Sequence, residues 1–192
     1  RVKLSNITVK DADCRYASII FGLNGHPIED VTLSNIHIQY KGGLSMEDVI
    51  YQRGANSFFT RVNSAAHGTP QQSKSSQESK EQGRRDPFDV PDMEKGYPEP
   101  SSHGILPAYG LFIKHAKNVS IDKVTFETMK EDKRPVIVLM DVDGIKFEDM
   151  KVAKADGAPY FVLKNVKNFK TKEFLGVKDK IIDFTEDLEI RK

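Results

Sequence analysis

The chain has a single cysteine, Cys14, in 192 residues, so no intrachain disulfide can form. A lone thiol of this kind reads as a packed, inert residue rather than a nucleophile. No apolar run approaches the roughly 18 residues of a membrane-spanning helix, which excludes a helical membrane span. Charge of neither sign dominates: the formal net charge is +1, which argues against a dominant electrostatic partner. The basic pair Arg84–Arg85 stands alone in a mixed-charge stretch and reads as solvated surface rather than as a nucleic-acid contact. No His, Cys or carboxylate cluster has metal-ligand spacing, and no cofactor is implied. The sequons at Asn6 and Asn118 lie in or beside predicted strands and carry no argument for glycosylation.

What the chain does have is repetition. A phrase at Val2–Val9 (VKLSNITV) returns at Val31–Ile38, Val119–Phe126 and Ile145–Val152, with a worn copy at Phe169–Phe174. The copies start at 2, 31, 119, 145 and 169, giving steps of 29, 88, 26 and 24. Apolar residues occupy positions 1, 3, 6 and 8 of each full copy. That is strand alternation with one slip, which fits two short strands joined by a bend at Asn, Asp or Lys. A second set of strand-like segments covers 17–21, 109–113, 135–139 and 159–163, and its last three members keep the steps of 26 and 24. Two columns with one period predict stacked coils that each contribute short strands to long parallel sheets, an all-β solenoid. Inward Val, Ile, Leu and Phe suit a pleated surface, and outward Lys, Glu, Asp, Thr and Ser account for the 30% of charged residues. The competing reading is an antiparallel β-sandwich, which also has short strands at regular spacing.

The step of 88 locates an insertion at 41–107 within one domain spanning 1–192. Its middle, 63–86, is rich in Gln, Ser, Lys, Glu and Gly and reads as mobile, because it cannot bury enough apolar area to offset ordering. A docked, extended part follows at 87–107, with Phe88, Val90, Met93, Tyr97, Ile105 and Leu106 as anchors. Met46–Tyr51 reads as one short helical turn, and 175–192 as an irregular C-terminal cap. The first repeat begins at residue 2 with no cap before it, so the expectation is a fragment of a longer solenoid with further coils upstream. No signal-peptide pattern is present in these residues.

Three phrases resemble the family 28 glycoside hydrolases. They are Gly22–Val31 (GLNGHPIEDV) followed by Ser34–Ile36 and Gly42–Gly43, then Tyr97–Pro100 with Gly104–His115 (GILPAYGLFIKH), then Arg134–Gly144 (RPVIVLMDVDG). The likeness is to the C-terminal half of bacterial polygalacturonase-like and rhamnogalacturonan-degrading members. It implies a right-handed parallel β-helix, a pectic polysaccharide or oligosaccharide as partner, and a secreted or periplasmic setting. The implied reaction is inverting hydrolysis, in which one carboxylic acid protonates the glycosidic oxygen and a carboxylate activates water.

The family's catalytic Asn-Thr-Asp, Asp-Asp and Gly-His-Gly motifs are absent here, so no catalytic residue carries over and the 192-residue chain by itself is expected to be inactive. Arg1-Val2-Lys3 looks like the family's Arg-Ile-Lys motif, but Val2 belongs to a repeat copy and should face inward. The expected contribution is scaffold and one wall of a sugar cleft. Tyr97 and Tyr109 are candidates for stacking on sugar, and Lys114 and Arg134 for neutralising a uronate. Arg134 has a second reading, as an ion-pair partner of Glu131 or Asp132. Asp141 and Asp143 read as a turn pair ahead of Gly144, and His26 and His115 as structural hydrogen-bonding residues. The alternative function is a non-catalytic carbohydrate-binding or structural β-helix.

Overall fold

Alternation of apolar and polar residues, interrupted at a fixed place, produces strands that are long but bent. The computed structural model describes residues 1–52, 85–92, 94 and 100–192. They are mostly β-strand: β1 (Val2–Ala12), β2 (Ser18–Phe21), β3 (Ile28–Gly42), β4 (Leu111–Lys130), β5 (Ile137–Val152), β6 (Phe161–Phe174) and β7 (Lys180–Ile190). The sheet order is β1-β3-β4-β5-β6-β7, with β2 paired to the first residues of β4. All pairs are parallel except β6–β7. The protein is therefore all-β with a parallel-rich sheet. No described helix is long and apolar enough to cross a membrane.

The register follows the sequence copies. Val2, Val31, Val119, Ile145 and Phe169 form one continuous row, and Leu4, Leu33, Ile121, Phe147 and Thr171 form another. Ser18, Leu111, Ile137 and Phe161 begin a row in the second set of segments. The slip inside each copy is a left-handed residue. Asn6, Asn35, Lys123, Asp149 and Glu173 stand in one row with φ between 49° and 58°. Asp30, Asn118, Gly144 and Asn168 make a second such row, and His115, Asp141 and Asn165 a third. A left-handed residue turns the chain without ending its ladder, and Asn and Asp tolerate that backbone best. Their side chains also bond along the rows: Asn35 Nδ2 donates to Asn6 Oδ1 at 2.7 Å, and Asn165 Nδ2 to Asp141 Oδ1 at 3.0 Å.

Inward residues from β3 to β6 form the main core, including Ile121, Phe126, Phe147, Phe161 and Phe169. A second, smaller core forms on the outer face of the 111–114 segments, where Phe112, Val138 and Val162 meet Val90, Leu106 and Ala108. The docked part of the insertion is thus a strap across this face. The short helix expected near 46–51 is α1 (Met46–Tyr51), where Ser45 N and Oγ both donate to Asp48 Oδ2 at 2.8 Å. Gln52 then ties α1 to the strap, donating to Ile105 O at 3.2 Å and accepting from Ile105 N at 2.8 Å. The 63–86 stretch expected to be mobile lies outside the described residues except for 85 and 86.

One expectation is corrected. The C-terminal cap is a regular strand rather than irregular. β7 returns antiparallel along β6, from Phe161↔Ile190 to Thr171↔Lys180. Its apolar residues are not strictly alternate, so the pairing is hard to see in the sequence. The turn that reverses the chain is held by Thr171, whose hydroxyl accepts from Lys180 N at 3.1 Å.

Candidate functional site

Between two left-handed corners each of β4, β5 and β6 has a two-residue segment: Ala116–Lys117, Val142–Asp143 and Val166–Lys167. Ala116, Val142 and Val166 are buried, so Lys117, Asp143 and Lys167 form an outward row across three neighbouring strands. The corner row beside it is His115–Asp141–Asn165. Facing both rows is the tight turn Leu23–His26, closed by reciprocal backbone bonds of 3.1 and 2.8 Å. Gly25 takes a positive φ of 76° in this turn. Gly22 must lack a side chain, because a Cβ there would lie 2.3 Å from the His115 carbonyl oxygen. Turn and rows enclose an open polar cleft of about 320 Å³.

His115 is the hinge of this arrangement. Its Nδ1 lies 2.6 Å from Asp141 Oδ2 and its Nε2 lies 3.2 Å from Asp92 Oδ1. The ring is thus held between two carboxylates, one from β5 and one from the strap. Asp141 also accepts from Asn165 Nδ2 at 3.0 Å, and half of its side chain remains exposed at the cleft. Asp92 comes from the strap and is additionally gripped by the Lys114 ammonium. Burial alone would push the Asp92 carboxyl up, but its interactions with the Lys114 ammonium, joined by those with the His115 ring, outweigh it and hold it below the ordinary carboxylate range. Behind the histidine, Phe21 stacks on His103 with ring centroids 4.4 Å apart.

The residues proposed for sugar binding fall elsewhere. Tyr109 is buried in the main core against Tyr40, and its hydroxyl donates to Ala153 O. Burial pushes the Tyr109 phenol well above its usual range, and no face of the ring meets solvent. Arg134 is fully buried and forms an ion pair of 2.9 Å with buried Asp132, the partner suggested by its second reading. It also donates to Leu106 O at 3.0 Å and Cys14 O at 2.6 Å, so it ties three chain segments together. Lys114 lies under the strap, donating to Val90 O at 2.7 Å and to Asp92. These three side chains are therefore structural ties rather than walls of the cleft. Tyr97 lies outside the described residues.

Asp141 and Asp143 both spend oxygens on cross-strand bonds, to Asn165 and to Asn168. This suits a structural corner pair better than an acid and base facing a glycosidic bond. Cys14 is half-buried, and burial raises its thiol, which favours the unreactive protonated form. Among the described residues no group of three His, Cys, Asp or Glu is placed to hold a metal ion. The cleft is equipped for binding: cations at Lys117 and Lys167, acceptors at Asp141 and Asp143, and one neighbouring amide. Comparison with protein-family models, with curated proteins and with solved structures finds no match to this chain.

Proposed function

We propose that the chain is part of a right-handed parallel β-helix of the family 28 glycoside hydrolase type, and that it supplies scaffold and one wall of a cleft for a pectic polysaccharide. The observation that carries this reading is the outward row Lys117–Asp143–Lys167 beside His115–Asp141–Asn165. In-register parallel strands with a left-handed corner at the same place are what stacked coils require, and parallel crossovers take the right hand almost without exception. Strand spacing puts Lys117 and Lys167 roughly 10 Å apart, two ladder steps across the sheet. Two ammonium groups at that separation, with the Asp143 carboxylate between them as a hydroxyl acceptor, fit a polymer that carries both uronate carboxylates and hydroxyls. The absence of the family's catalytic motifs assigns binding, not hydrolysis, to these residues.

The test is affinity electrophoresis of the purified chain in gels containing polygalacturonate, rhamnogalacturonan or neutral galactan. Retardation by the two uronate polymers is expected, weakened at least fivefold by the double substitution Lys117→Ala and Lys167→Ala. No release of reducing ends above buffer is expected. Equal migration in all gels would remove the reading, as would retardation untouched by the two substitutions.

A further inference from the structure

The two parallel rows that run through the core do not end where the sheet ends. Along the first, relative exposure rises from 3% at Val119 and 4% at Val31 to 45% at Val2. Along the second it rises from 0% at Ile121 and 9% at Leu33 to 46% at Leu4. Each inner residue is covered by the next strand in register, and among the described residues no strand covers β1. Among the described residues the far edge of β1 pairs with nothing, and neither does the far edge of β2.

β2 and β3 both lie on the same side of β4, and β1 lies one layer beyond β3. Among the described residues no strand pairs with β2 on the side away from β4. Between these two free edges runs an apolar groove of about 360 Å³, whose walls include Val2, Leu4, Ile7, Ile20, Phe21 and Leu33. In β4, β5 and β6 one continuous chain passes through both positions, turning at His115, Asp141 and Asn165 respectively.

We infer that this end of the sheet receives one further extended polypeptide strand, parallel to β1 and β2, with aliphatic or aromatic side chains entering the groove at alternate positions. The edges offer unpaired N–H and C=O groups in parallel spacing, which is the template for strand addition. The groove offers the same row chemistry that each internal strand already satisfies, so register is set by continuity with the existing stack. An occupant with polar residues at those positions would leave Leu4 and Val2 against unsatisfied groups.

The probe is a synthetic peptide copying residues 159–174, which carries this alternation in its own strand, added to the full 192-residue chain. Amide exchange is read at Val2–Ala12 and Ser18–Phe21. Saturable slowing of at least about tenfold at both segments is expected. A peptide of the same composition, with its apolar residues moved to the outward positions, should give none. Leu4→Asp, placed where the side chain is half exposed, should leave the circular dichroism of the chain unchanged and weaken peptide binding at least tenfold. The inference is overturned by absent slowing, by equal slowing with the rearranged peptide, or by binding indifferent to Leu4→Asp. It is also overturned if both segments are already protected without peptide in step with a doubling of mass, since a second copy then covers the face. Loss of polygalacturonate binding leaves this outcome untouched, because Lys117 and Lys167, which carry that reading, do not line the groove.

Discussion

The two ends of the sheet are built from related strands and finish in opposite ways. At the β7 end the inner residues Phe161, Leu163 and Phe169 are fully covered, because the chain reverses and lies antiparallel over β6. At the β1 end Val2, which shares a row with Phe169, and Leu4, which shares one with Thr171, are nearly half exposed. The row through Leu4, Leu33, Ile121 and Phe147 shows the cause: its last member is Thr171. That hydroxyl serves the reversing turn, accepting from Lys180 N and lying 3.4 Å from Lys178 O. A parallel strand presents an edge like the one it covered, so a parallel stack needs a special residue to stop it. The closed end has one and the open end does not.

The largest expected effect concerns a tie that reaches toward the open end. Arg134 holds Cys14 O, Leu106 O and Asp132 from a fully buried position, so Arg134→Ala strands the Asp132 carboxylate in the interior. Such a break costs about 3–5 kcal/mol. Arg191, at the closed end, makes an ion pair of 2.5 Å with Glu189 but is half exposed. Arg191→Ala should therefore cost at most about 1 kcal/mol. Urea unfolding of both variants measures the contrast, and equal midpoints would break it.

Next is Phe147→Ala, which removes a ring at the centre of the inner row, 0% exposed and packed against Phe161 and Phe169 at 5.1 and 5.9 Å. Transfer and cavity contributions together predict a loss of about 3–5 kcal/mol. The smaller Thr171, one strand further on, marks where such a loss must fade.

How much of this was legible in the sequence depended on whether a feature obeyed the period. The steps of 26 and 24 carry Leu111 to Ile137 and Phe161, and the same arithmetic carries His115 to Asp141 and Asn165, and Lys117 to Asp143 and Lys167. The cleft rows were therefore present in the repeat, although attention to single residues favoured Tyr109, Lys114 and Arg134. Lys114 and Arg134 are held by the strap, whose docking follows no period, and Tyr109 turns into the main core against Tyr40. Asp92 was invisible for the same reason: only the fold brings it to His115. β7 was missed because an antiparallel return need not repeat the parallel register.

The corners give a smaller effect of opposite sign. In the row Asn6, Asn35, Lys123, Asp149 and Glu173, the lysine and the glutamate lack a short side chain suited to a left-handed backbone. Lys123 has φ of 53° at the middle of the stack. Lys123→Asn should stabilise by about 1 kcal/mol, since an ordinary residue in this region costs roughly 1–2 kcal/mol. A thermal melt that moves down instead would mean that the Lys123 side chain contributes more than its backbone costs.

The smallest expected effect tests the comparison most directly. Leu4 belongs to the same row as Phe147 but is 46% exposed, so Leu4→Ala leaves no enclosed cavity. Only the buried half of the side chain counts, and the loss should be about 1 kcal/mol or less. Ile121→Ala, two strands inward at 0% exposure, supplies the reference of about 2–5 kcal/mol for the same row. A loss at Leu4 as large as that at Ile121 would show the open end already covered in solution. If the loss is small in the isolated chain and grows when the 159–174 peptide is added, the difference between the two ends reduces to whether a neighbouring strand is present.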